Sequence, residues 1–220
     1  MNLQKAGGAA ALFEAFAYIV GIAVMATLMN PGDTSGWNAV ERLDFVLERK
    51  SLFHAWTLMI YAGFGIALVA LAVALHERLA VSSSSVMKIA TPFGLIWSGL
   101  VIASGMVASV GLESVATLRT VDADQAVANW ALINVVQDGL GGGVEVVGGV
   151  WVLLVSIASL GNRALPRGVT YLGFVVGAAG VLTILPPLKD LGLVFGLTQI
   201  AWFAWTGIHL LRKPGSEPGH

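Results

Sequence analysis

A chain of 220 residues that is 56% hydrophobic and only 11% charged, with a mean hydropathy of +0.81, departs from water-soluble domains, where about 25% of residues are charged. The absence of cysteine excludes a disulfide scaffold, Cys-ligated zinc or iron–sulfur sites, covalently attached haem and a thiol nucleophile. A net charge of −1, from 12 Lys and Arg against 13 Asp and Glu, leaves no basic surplus for phosphates, so the expected partner is the lipid bilayer and not nucleic acid.

Crossing a hydrocarbon core about 30 Å thick takes about 20 apolar residues in a helix. Six such runs are read, near 8–29, 52–75, 89–111, 139–160, 168–187 and 191–211. They predict an all-α integral membrane bundle of six spans in one domain, residues 1–212. The tail 213–220 is too rich in Pro, Gly and polar residues to pack and is expected to be disordered. In the first run Glu14 interrupts the apolar stretch, only Lys5 supplies a basic flank and no clear cleavage pattern follows, so a retained helix is expected and not a signal peptide.

Cations in the connections set orientation. Lys5, Arg78, Lys88, Arg163, Arg167, Arg212 and Lys213 fall on one side; Arg42, Arg49, Lys50, Arg119 and Lys189 fall on the other, mixed with acids. That bias and the even number of spans place both termini in the cytoplasm.

Between the first two spans, the cluster from Asn30 to Gly36 reads as a turn with Ser35 as a helix cap. Trp37, Val40, Leu43 and Leu47 then recur at helical spacing, as in a helix lying in the outer interface or a solvated loop helix with apolar anchors. Val81 to Ser85 reads as a flexible linker. Pro186-Pro187-Leu188-Lys189-Asp190 leaves room only for a tight hairpin between the last two spans. Asp122 and Gln125 form a capping-box-like start, from which helical periodicity runs to Leu160.

Gly139/Gly143, Gly173/Gly177 and Gly192/Gly196 are GxxxG pairs, which let helix backbones approach closely and offer faces for a second copy or a partner membrane protein. Gly141-Gly142-Gly143 lacks the preceding strand and the Lys of a phosphate-binding loop, so a kink is expected there.

Winding 100° per residue along the fourth span gathers Asn134, Asp138, Glu145, Gly149 and Ser156 within about 60° of one another. Leu140, Val147, Trp151 and Leu154 fall opposite, on the face expected to meet lipid. A carboxylate in hydrocarbon costs at least about 2.5–3.5 kcal/mol, so Glu145 is expected inside the bundle. Glu14 on the first span, the line His54, Thr57, Tyr61 on the second, and a small-residue line ending at Glu113 on the third suggest a shared polar interior.

A polar path is therefore read through Glu14, Glu145, Asp138, Asn134 and Tyr61, with an outer vestibule of His54, Glu113 and Asp138. Three chemistries compete: a proton or solute path through buried carboxylates, a metal or haem site on His54, and carboxyl groups that only fix helix register. Tyr18, Tyr61, Trp56, Trp97 and Trp130 read as interface anchors or core, and His209 as an interfacial residue. No cofactor is expected, and no nucleophile elbow or base points to an enzyme.

The opening Asn2-Leu3-Gln4-Lys5-Ala6-Gly7-Gly8, the Pro31-Gly32-Asp33 turn, Ser51-Leu52-Phe53 and Leu165-Pro166-Arg167 before a Gly-rich helix resemble an uncharacterised family of small bacterial polytopic membrane proteins, known by a domain-of-unknown-function label. The resemblance covers about residues 5–212 and implies a helical bundle in the bacterial inner membrane. It carries no activity and no site residues, and the Gly141-Gly142-Gly143 and Glu145 region departs from the family pattern. The functional expectation is a small proton-linked permease; the alternatives are a non-catalytic membrane subunit or assembly factor with Gly-lined packing faces, and a haem- or metal-binding membrane protein.

Overall fold

The computed structural model describes residues 2–142, 145–161 and 164–212; the tail 213–220 lies outside them. The described residues are all-α: α1 (Leu3–Ala26), α2 (Ala39–Glu48), α3 (Lys50–Thr57), α4 (Phe64–Arg119), α5 (Ala123–Gln137), α6 (Val146–Leu160), α7 (Arg167–Leu182) and α8 (Leu191–Arg212). A π-helical turn, Leu58–Gly63, joins α3 to α4 without interrupting the rod, and a second, Asp138–Gly142, follows α5. Four stretches are long and apolar enough to cross a membrane: Leu3–Ala26, Lys50–Arg119, Ala123–Leu160 and Leu191–Arg212. α7 is apolar but only 16 residues long, about 24 Å at 1.5 Å per residue.

Local chemistry sets the helix starts. Asn2 accepts a hydrogen bond from the Gln4 backbone N–H at 2.9 Å, and Asp122 accepts one from Gln125 at 2.9 Å. Asn38 caps α2 in a full capping box: its side chain accepts from Val40 and Glu41, while Glu41 accepts from the Asn38 backbone at 2.8 Å. The cap of α2 is thus Asn38 and not Ser35, because Ser35 is engaged in a tight turn, its N–H donating to Asp33 at 2.9 Å. That bond, with one from the Ser35 hydroxyl, holds the Asp33 carboxyl below the usual carboxylate range.

The 70-residue stretch Lys50–Arg119 folds on itself. Ser83 (φ −138°, ψ 46°) is its one non-helical residue, and the serine segment expected as a loose linker is a helical corner. The two arms, 50–82 and 84–119, run antiparallel: His76 bonds Thr91 at 2.6 Å and the Ser98 hydroxyl donates to the Gly65 carbonyl at 2.6 Å.

The remaining neighbours are antiparallel too. α6 lies on the second arm where Gly148 meets Trp97 and Gly94 meets Trp151; α7 lies on α6 where Gly177 meets Gly149; α8 lies on α7 where Gly168 meets Trp205. α1 then packs on both α8 and the first arm, through Gly8 against Gly207 and Gly7 against Ala74. Six successive arms form a closed ring, and both ends of the described chain lie at one end of it. There Arg78 donates to Gln4 at 3.4 Å and to the Ala164 carbonyl at 2.9 Å and touches His209 at 3.1 Å. His209 is thus part of a polar knot. At the opposite end α2 lies across α4 and α5, held by Leu43 against Val115 and Ala126 and by a two-point Arg119–Asp44 pair at 2.8 and 2.9 Å.

The fourth span is not one continuous helix. Gly141 has φ +116°, and α6 restarts at Val146. Within α6 the buried face is wider than the polar stripe: the second arm covers Gly148 and Trp151 and α7 covers Gly149, so Trp151, expected to face lipid, is fully buried in the core. The Gly173/Gly177 pair is used within the chain, against Ser156 and Leu153 of α6. Gly139 has nothing within 4 Å of an added Cβ, and Gly143 lies outside the described residues.

A Cβ on Gly149 would sit 2.6 Å from the Val181 nitrogen and 2.8 Å from the Gly177 oxygen, both backbone atoms that cannot swing aside. Gly149→Ala is expected to push α6 from α7 and cost about 1–3 kcal/mol, read as a lower midpoint of thermal unfolding in detergent. Gly99→Ala, with open space at the added methyl, should leave the midpoint unchanged or raise it, since Ala favours helix by about 1 kcal/mol over Gly.

Candidate functional site

Aromatic rings fill the centre of the ring of helices. Tyr18 of α1 stands edge-on to Phe64 at 5.5 Å, Phe64 to Trp97 at 5.8 Å, Trp97 lies 5.7 Å from Trp151, and Trp151 5.7 Å from Trp202 of α8. Trp97, expected as an interface anchor or core, is core at 2% exposure. Among the described residues, the indole N–H groups of Trp97, Trp151 and Trp202 have no hydrogen-bond partner, nor do the hydroxyls of Ser156 and Thr206. Gln199 on α8 is fully buried with its amide oxygen and nitrogen both unpartnered. Glu14 is equally buried, and neither of its carboxyl oxygens has a partner.

Beside these rings lies a cavity of about 140 Å³ lined by Tyr18, Ile60, Tyr61, Phe64, Trp97, Val101, Gly141 and Glu145. At roughly 30 Å³ per liquid water it has room for a few waters or a small polar group. The two π-helical turns supply part of its wall: Ile60 and Tyr61 come from one, Gly141 from the other, and Glu145 follows the break. π-turns in helices occur frequently at functional sites.

Glu145 is anchored through its backbone, whose N–H donates to the Thr183 hydroxyl at 2.9 Å. Its carboxyl caps no helix and makes no hydrogen bond within the described residues, and the half-buried residue lines the cavity. The Tyr61 hydroxyl is fixed from behind, accepting from the Gln137 amide nitrogen at 2.7 Å, and the Gln137 carbonyl accepts from Ser104 at 3.1 Å. Tyr18 lies within electrostatic range of Glu14, Glu145 and Tyr61.

The expected path residues divide accordingly. Tyr61 and Glu145 share the cavity, and Glu14 lies near it through Tyr18. Asp138, exposed on the second π-turn, lies within electrostatic range of Tyr61, and its carboxyl joins no hydrogen bond among the described residues. Asn134 is half-buried on α5 outside the cavity lining.

The expected vestibule forms in part. His54 bonds Glu113 at 2.9 Å, and Lys50 donates to the other oxygen of Glu113 at 3.1 Å. Asp138 takes no part in this cluster. His54 lines a separate, mostly apolar cavity of about 330 Å³ with Thr57, Gly105 and Ser109, so it and Glu145 do not face a common space. The Lys50 ammonium makes the cluster a charge-balanced pair and not a ligand set, and no group of three or more His, Asp or Glu able to hold a metal gathers among the described residues.

Tyr18, Phe64, Trp97, Gln137 and Gln199 were not legible as site residues. Gln199 carried one signal, a lone amide within an apolar run; the rings read as ordinary core. Compared with known proteins, the chain matches no family model, no curated protein and no solved structure, so the chemistry rests on this geometry.

Tyr61→Phe should strand the buried Gln137 amide and cost about 1–3 kcal/mol. Adding Gln137→Met removes the stranded donor, so the double variant should recover most of that loss. Thermal unfolding of the two single variants and the double checks this.

Proposed function

We propose that this protein is a six-span bacterial inner-membrane protein, both termini cytoplasmic, that passes protons or a small solute through a path centred on Glu145. The observation that carries the reading is the meeting of both helix irregularities at one cavity that also holds the free carboxyl of Glu145. Non-helical backbone is tolerated at membrane depth only where it is buried in protein or lines a water-filled cavity, and interrupted helices are the usual framework of transporter binding sites.

On this reading Glu145 takes a proton from the cavity and Glu14, one helical turn from Tyr18 on the same face of α1, lies further along the same path. Tyr61, held by Gln137, fixes the cavity wall. The His54–Glu113–Lys50 cluster belongs to the rim at the α2 end, where it ties the two arms of the hairpin together.

The test is proton uptake into liposomes holding the purified full chain under an imposed proton gradient. Glu145→Gln and Glu14→Gln should each lower flux by about tenfold or more, the loss expected when a proton-carrying group can no longer titrate, with helicity and unfolding midpoint retained. Undiminished flux in both variants, or no flux in the wild type, would return the carboxyl groups to a packing role.

A further inference from the structure

The lining of the Glu145 cavity has a chemistry beyond proton passage. Four aromatic residues, Tyr18, Tyr61, Phe64 and Trp97, share it with one acidic residue, and among the described residues no Lys, Arg or His lines it. The wall is rich in π density and holds one acidic group without a protein partner. An anion would meet no donor of opposite charge there, and a sugar-like polyol would find too few polar groups. An ammonium carrying methyl or alkyl groups suits both features: aromatic rings attract a cation through their quadrupoles, more strongly when desolvated, and the carboxylate balances its charge.

A way in exists on the lipid side. An apolar groove of about 450 Å³ runs along Gly21, Ile22, Met25, Ala26 and Trp56, and its lining shares Tyr18 and Ile60 with the cavity. Those two side chains are the partition between groove and cavity. Trp56 is fixed in the groove wall by its indole N–H, which donates to the Gly21 carbonyl at 3.2 Å.

We infer that the cavity is a binding site for a small organic ammonium ion, held between Tyr18, Tyr61, Phe64 and Trp97 and the carboxylate of Glu145. The inference rests on the reading of this cavity as the functional site and names the class of its ligand. The ion displaces the proton from Glu145 on binding, so cation and proton compete for one carboxyl group.

The test uses the full-length protein in lipid nanodiscs and calorimetric titration with choline and with its uncharged carbon isostere, 3,3-dimethylbutan-1-ol. Choline should bind saturably, release protons on binding and outcompete the isostere by about tenfold or more. Glu145→Gln should weaken choline by a similar factor, whereas Gly99→Ala, at an exposed position with open space around the added methyl and outside the cavity lining, should leave it unchanged. Equal binding of the two probes, binding of neither, or full retention in Glu145→Gln overturns the inference. Should Glu145→Gln fail to fold, the discrimination between the two probes by the wild type decides alone. Proton uptake by the same protein in liposomes separates the two readings: Glu145-dependent flux without choline binding removes only the ammonium site, and loss of both removes the cavity as the functional centre.

Discussion

Gly8 and Gly207 close the one seam of the bundle that no connection holds. Each other pair of neighbouring arms is consecutive along the chain, but α1 and α8 are not and meet only by packing. A Cβ on Gly207 would lie 2.8 Å from the Gly8 carbonyl oxygen, and one on Gly8 would lie 3.0 Å from that of Gly207, so the backbones touch where neither residue has a side chain. Once the seam is shut, Glu14 and Tyr18 face protein. In hydrocarbon the carboxylate alone would cost at least about 2.5–3.5 kcal/mol. The Gln4–Arg78–His209 knot ties the same seam at its end, where α1, the first hairpin arm and α8 converge.

Closure also creates the central problem of the fold. Five of the six arms send large rings to the axis, while α7 contributes Gly173, Gly177 and Gly180 and lets its neighbours in. Rings pack with gaps at their polar tips, and here the indole N–H groups, Gln199, Ser156, Thr206 and both oxygens of Glu14 remain unpartnered. Each such group costs about 1–3 kcal/mol, and native interiors hold few of them. Their concentration along the axis, beside a cavity, separates this interior from an ordinary packed core. Local rules are broken where a fold makes room for function.

Much of this architecture was legible in the chain. Apolar run length located the helical arms, the Pro186-Pro187 hairpin forced α7 against α8, and the cost of a buried carboxylate placed Glu14 and Glu145 inside. What failed was the width of the buried face. The wheel drawn through Asn134, Glu145 and Ser156 gave the span one inward stripe, whereas α6 is covered on two sides, by the second arm and by α7, and Trp151 fills the side expected to meet lipid. The first π-turn left no trace, because Leu58, Met59, Ile60 and Tyr61 are ordinary helix residues; Tyr61 in that turn packs against Gly105 of the second arm. Aromatic side chains were equally silent: a ring at a cavity wall and a ring in a solid core have the same helical spacing.

The two inward carboxyl residues, Glu14 fully buried and Glu145 half-buried, end in different surroundings for a backbone reason. α1 is uninterrupted from Leu3 to Ala26, so Glu14 is sealed on all sides by neighbours packed on a regular helix. Glu145 sits at the restart of a broken one, where displaced backbone leaves a void that regular packing would have filled. Tyr18 belongs to both environments, one turn from Glu14 and in the wall of the cavity that Glu145 faces. Tyr18 thus stands beside both carboxyl residues, and with Ile60 it forms the partition toward the apolar groove. One aromatic residue therefore borders all three surroundings: the regular helix that carries Glu14, the cavity beside Glu145 and the groove along Trp56.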